Sequence, residues 1–138
     1  SHEVKEHSLI KLIEQWQISK SLLPALKIYQ VHSATFDSGI LENKDVHGKL
    51  YQIIKETGLQ IGLTSSGSNQ TELLEAALKI KVKNEFLFSS FQVTYNILER
   101  STVSILRKIL LEGKTVIIKE ALANGRLFRN KKFNFLKE

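Results

Sequence analysis

Residues 29–39 read YQVHSATFDSG, an apolar, strand-like run that ends on His32 and passes into small polar residues. An imidazole in that position can order a core, ligate a metal or move a proton. Three other runs end in a similar way. LQIGLTSS closes on Thr64, Ser65 and Ser66; FLFSSFQV, from Phe86, closes near Gln92 with Tyr95 and Asn96 beyond; KTVIIKEA closes on Lys119 and Glu120. With Ser33 beside His32, neutral hydrogen-bonding groups dominate the set. Such groups suit a polar, uncharged ring or an amide better than a metal ion.

Other chemistries fit less well. The histidines are His2, His7, His32 and His47, and no pair has the helical spacing of a zinc motif. His47 is expected in the first turn of a helix and exposed. The chain has no cysteine, so it has no disulfide, thiol nucleophile or thiolate site. That composition suits a reducing compartment, and a cytoplasmic location is expected. A GxSxG nucleophile elbow is absent, since SSGSN has the wrong order. The same segment precedes a helix but lacks both GxGxxG and the lysine of a phosphate loop, which leaves a phosphate role weakly supported.

The elements that must position these groups follow from periodicity. Leu9, Leu12, Ile13, Trp16, Leu22 and Leu23 form one helical stripe, with Ser8 as N-cap. Val46, Leu50, Ile53 and Ile54 form a second, stopped by Gly58. Leu73, Leu74, Ala77 and Leu78 form a third, where Asn69 and Glu72 resemble a capping box. Val103, Leu106, Ile109 and Leu110 form a fourth, and Gly113 ends it in the manner of a left-handed cap. Strands are predicted near 27–32, 60–65, 87–93 and 115–119. Their starts lie roughly 27 to 33 residues apart, the length of a βα unit. The repetition predicts an α/β protein with adjacent parallel strands in chain order and helical crossovers. Four such units make either a small doubly wound sheet or about half of a (β/α)8 barrel. Both place chemistry at the C-terminal ends of the strands.

The chain's 138 residues, 42% of them hydrophobic, are enough for a single domain over 1–138. No apolar run approaches the ~20 residues of a membrane span, and no signal-peptide pattern opens the chain. The lack of methionine suggests an excised piece. Net charge is +6, concentrated in a basic C-terminal extension from about residue 126. There Arg126, Arg129, Lys131, Lys132 and Lys137 interleave with Phe128, Phe133 and Phe135. Cations among aromatics can bind single-stranded nucleic acid, but no recognised nucleic-acid motif accompanies them, so that partner is disfavoured.

Taken together, YQVHS, IGLTSSG, FQVTYNILER and IIKEALANGRL resemble, in order and spacing, strands four to seven of the aldo-keto reductase family. HSLIKLIEQWQISKSLL resembles the helix before them, and the likeness runs to about Leu127. The resemblance implies a (β/α)8 TIM barrel that uses NADPH to reduce an aldehyde or ketone to an alcohol. It implies that His32 is the histidine of the catalytic tetrad. Thr64, Ser65 and Gln92 would hold the nicotinamide carboxamide, and Ser33 would lie beside the carbonyl substrate. No metal is implied.

Two departures accompany the likeness. The tetrad aspartate, tyrosine and lysine belong to strands before this segment; Lys5 is a poor stand-in, and Tyr29, Tyr51 and Tyr95 are misplaced for proton donation. The aromatic that the family often stacks on the nicotinamide is replaced by Lys119 or Glu120. The segment by itself is therefore expected to be inactive. The alternative is a non-catalytic half-barrel binding or scaffold module without the Asp/Tyr/Lys of the tetrad. A half-barrel leaves two edge strands, near Tyr29 and Ile117, and inner faces expected to be rich in Ile, Val and Phe. Exposed apolar surface costs about 25 cal/mol per Å². Either a second copy of the chain or the remainder of the same barrel is thus expected as partner.

Overall fold

The computed structural model of the chain describes residues 7–65 and 69–126. His2, Lys5, Ser66 and the basic extension beyond Arg126 lie outside them.

The first helix, α1 (Leu9–Leu22), starts where the Ser8 side chain accepts from the Lys11 amide. It buries only Leu12 and Trp16, while Ile13, Leu22 and Leu23 of the predicted stripe are exposed. The helix packs on α2 and on an edge strand, so only a narrow strip of its surface is covered. Helix α2 (Lys44–Thr57) is capped by the Asn43 side chain and ends at Gly58, whose φ of 71° is left-handed. Helix α3 (Gln70–Leu78) buries the predicted Leu73, Leu74, Ala77 and Leu78, but Asn69 makes no side-chain cap bond, so the capping box does not form. Helix α4 (Val103–Leu111) turns Ile105, Leu106 and Ile109 inward and leaves Val103 and Leu110 exposed. It gives way to Gly113, with φ 70°, as expected of a glycine after a helix.

Strands β1 (Ile28–Ala34), β2 (Gln60–Ser65), β5 (Ser90–Thr94) and β6 (Thr115–Lys119) form one sheet in the order β1-β2-β5-β6. Every neighbouring pair is parallel, as the βα spacing predicts. The third strand is shorter than expected. Leu87, Phe88 and Ser89, its predicted first residues, lie between it and a separate hairpin, β3 (Lys81–Val82) with β4 (Glu85–Phe86). Lys83 and Asn84 both have positive φ, as a two-residue type I′ turn requires.

The strand order never reverses, whereas a doubly wound sheet reverses it. With right-handed crossovers, a one-way order carries each helix to the same side of the sheet. Burial agrees: Val31, Ile61, Leu63, Phe91 and Val93 join the helices in one apolar core. Period-two alternation gives the other face to Gln30, Gly62 and Ser90, which share a register row, and to Thr64 beside Gln92. The expectation of an inner face rich in Ile, Val and Phe is therefore corrected. Those residues meet the helices, and the opposite face is mainly polar, with Ile28 and Ile117 as its apolar members. The edges are β1 and β6, as expected.

Candidate active site

The site is built on the polar face, at the C-terminal ends of the parallel strands. Its centre is Thr64, 1% exposed on β2. The Thr64 hydroxyl lies 2.8 Å from Gln92 Oε1 on β5 and 3.1 Å from Gln30 Oε1 on β1. A hydroxyl has one hydrogen, so it donates to one glutamine and can accept from the other's amide once that amide is turned. Three strands are thereby linked by neutral groups. Gly62 makes the link possible. A Cβ there would stand 2.8 Å from Gln30 Cγ and 3.2 Å from the Ser90 carbonyl. Without one, Gln30 lies across the β2 backbone toward Thr64. On the same face the buried Ser90 hydroxyl has no hydrogen-bond partner among the described residues.

His32 sits on β1 two residues beyond Gln30 and is exposed. Val31 pairs with Leu63 and Ala34 with Ser65, so three steps along β1 match two along β2. This is a β-bulge, and Ser33 occupies it with φ 53°, an uncommon value for a residue with a side chain. Bulges re-aim side chains, and this one follows His32 directly. The His32 carbonyl accepts from His7 Nε2 at 2.9 Å, while the buried His7 Nδ1 has no partner among the described residues. His7, just before α1, thus lies against the end of β1. Asn43 Nδ2 also donates to the His7 carbonyl, at 3.3 Å.

Ser65 takes a different direction. Its hydroxyl, fully buried on the helix side, donates to Gln70 Oε1 at 2.8 Å and approaches the Gln92 carbonyl at 3.3 Å. Gln70 Oε1 also accepts from the Thr94 amide at 3.1 Å, so this buried side chain ties β2 and β5 to α3. The Ser65 carbonyl accepts from Lys119 Nζ at 2.6 Å. Lys119 starts on β6 and crosses β5 to reach it, which brings an ammonium to the ends of three strands. Beyond it, Glu120 (φ 56°) accepts from Thr94 Oγ1 and Asn124 Nδ2, and its carbonyl accepts from Asn96 Nδ2.

The structure therefore brings Thr64, Gln92 and Lys119 to one end of the polar face, with His32 at the end of β1. It turns the Ser65 hydroxyl away from them and places Ser33 in the bulge. Gln30, Gly62 and Gln70 are additions that the sequence reading missed. Alternation could have found Gln30, since it shares parity with His32; nothing local marks Gln70. His47 is a correction. It is buried, its Nε2 donates to the Ile40 carbonyl, and its ring meets Phe88 edge-on at 6.5 Å. It continues the buried strip of Val46 and Leu50, and the loop carbonyl needs a donor.

Among the described residues no group of three or more His, Asp or Glu side chains could hold a metal ion. No helix among them is long and apolar enough to cross a membrane. Compared with protein-family models, curated proteins and solved structures, the chain gives no significant match.

Proposed function

We propose that the chain is the central segment of an NADPH-dependent aldo-keto reductase, about half of a (β/α)8 barrel, that reduces an aldehyde or ketone to an alcohol. The observation that carries this reading is the neutral Gln30–Thr64–Gln92 cluster on the polar face, with Thr64 near the C-terminal end of β2 and His32 two residues beyond Gln30 on β1. The one-way winding of four parallel strands also favours a barrel over an open doubly wound sheet.

The donor set fits a nicotinamide carboxamide, which needs both a donor and an acceptor opposite it. Threonine and glutamine side chains offer both without charge. A nicotinamide cofactor, when bound, supplies the hydride. Gln92 and Thr64 hold its amide and so fix which face of the ring meets the substrate. Ser65 supports them through Gln70 and its own carbonyl. With Lys119 or Glu120 in place of the stacking aromatic, hydrogen bonds would hold the ring. As negative charge grows on the substrate oxygen, the His32 imidazole donates toward it, and Ser33 shapes the pocket beside it. The final proton comes from a residue outside the segment: Tyr29 packs on Trp16, Tyr51 donates to Glu85, and Tyr95 packs against the helix-side core.

The placement of all three tyrosines on the helix side favours a second reading, a non-catalytic half-barrel binding module. Kinetics separate the two. With the chain that flanks the segment present, His32→Ala should lower carbonyl reduction far more than it weakens NADPH binding, and Gln92→Ala should do the reverse. Binding of NADPH without turnover by any aldehyde or ketone supports the module. Equal effects of the two substitutions refute the role assignment, and the absence of NADPH-induced shifts at Thr64 and Gln92 amides in nuclear magnetic resonance refutes both readings.

A further inference from the structure

At the opposite end of the sheet, the C-terminal turns of α3 and α4, the β3–β4 hairpin and the start of β6 border an open cavity of about 510 Å³. Lys79, Lys81, Lys108 and Lys114 line it around Leu78 and Phe86, and Glu112 is its single carboxylate among the described residues. Two of these lysines follow from the helices. Lys79 caps α3 and Lys108 lies in the last turn of α4, where the helix dipole favours a cation.

Lys81 and Lys114 have no such account. Both ammonium groups approach the Phe86 ring, at 4.4 and 4.2 Å from its centre, so they are at most about twice that distance apart. The ion pairs among the described residues, Lys11–Glu14 and Lys55–Glu85, involve neither. Lys114 is only partly exposed and, among the described residues, gives one hydrogen bond, to the Phe88 carbonyl at 3.0 Å, out of the three an ammonium can donate. Burial pushes its pKa down, and the Glu112 charge opposes this less strongly. Two cations gathered on one aromatic ring repel each other, and an anion within reach of both relieves the repulsion and the lost hydration.

We propose that this cavity binds a small phosphorylated molecule, its phosphate held between Lys81 and Lys114 and its apolar or aromatic body against Leu78 and Phe86. The site is remote from the candidate active site and does not rest on the reading given to it.

The test is a calorimetric titration of the chain with phenyl phosphate and, separately, with inorganic phosphate, at fixed ionic strength. Saturable one-to-one binding of phenyl phosphate is expected, at least three times tighter than inorganic phosphate. The Lys81→Gln/Lys114→Gln double variant should weaken it at least tenfold, with circular dichroism reporting an intact fold. Lys20→Gln/Lys49→Gln, which removes the same charge elsewhere, should leave it unchanged. If the double variant does not fold, Lys81→Gln alone, on the exposed hairpin, should still weaken binding severalfold. Unsaturable binding, or equal losses in both double variants, would overturn the site. Equal affinity for the two phosphates would overturn the role given to Leu78 and Phe86.

Discussion

The two faces of the sheet divide the molecule's work. On one, Val31, Ile61, Leu63, Phe91 and Val93 pack against the helices and are almost entirely buried. On the other, Gln30, Thr64, Ser90 and Gln92 occupy the alternate positions of the same strands. A single step along a strand therefore moves from an apolar residue held by packing to a polar one on the opposite face. Stability concentrates on the first face, and the neutral hydrogen-bonding groups gather on the second.

The strongest challenge to this division is a pair of adjacent substitutions. Phe91→Ala empties a fully buried ring site and should cost about 3–5 kcal/mol of stability in urea unfolding. Gln92→Ala, the next residue on the partly exposed face, should cost less than about 1 kcal/mol. Similar losses at the two positions would erase the distinction.

A smaller effect probes how the polar face is assembled. Gly62→Ala would force its new Cβ against Gln30 Cγ and should destabilise by about 1–3 kcal/mol. Adding Gln30→Ala should return most of that loss, because the nearest contact is then gone. If the second substitution gives no relief, the Ser90 carbonyl rather than Gln30 sets the limit.

Thr64→Val keeps the shape and removes the hydroxyl between the two glutamines. About 0.5–1.5 kcal/mol should be lost in the same unfolding measurement. Nicotinamide cofactor affinity, if the proposed function holds, should fall with it. A loss the size of that from Phe91→Ala would mean that the polar face carries packing too.

The smallest effect comes from a contact on neither face. Lys55 and Tyr51 hydrogen-bond Glu85 and hold its carboxylate below the usual range, joining α2 to the hairpin. A lowered carboxylate stabilises the fold above its unfolded-state pKa, and that contribution disappears as the pH falls through the folded value. The pair is exposed, so only a slight weakening of hairpin amide protection is expected in acid. Glu85→Gln should remove the pH dependence of that protection between neutral and acid conditions. Unchanged dependence would assign the effect to another group.

Much of this architecture was legible in the residues. The βα spacing and the glycines at 58 and 113 gave four parallel strands in chain order, and the strand ends held His32, Thr64, Gln92 and Lys119. These features are local: periodicity, caps and turn chemistry act over a few residues. The polarity of the second face was also present in the alternation of Gln30 with His32 and of Gly62 with Thr64, although overall strand composition concealed it.

The remaining features depended on partners outside the residue's own helix or strand. His47 is buried because a carbonyl seven residues earlier lies within its reach. The Ser65 hydroxyl is turned to the helix side, where Gln70 accepts from it, and Lys119 finds the Ser65 carbonyl 54 residues away. The ring of Phe86 gathers Lys81 and Lys114 from separate elements. Sequence pattern determines which residues can face one another across a strand or helix. Which of them meet is decided only when the elements pack, because each such bond is set by the placement of two backbones that no local rule connects.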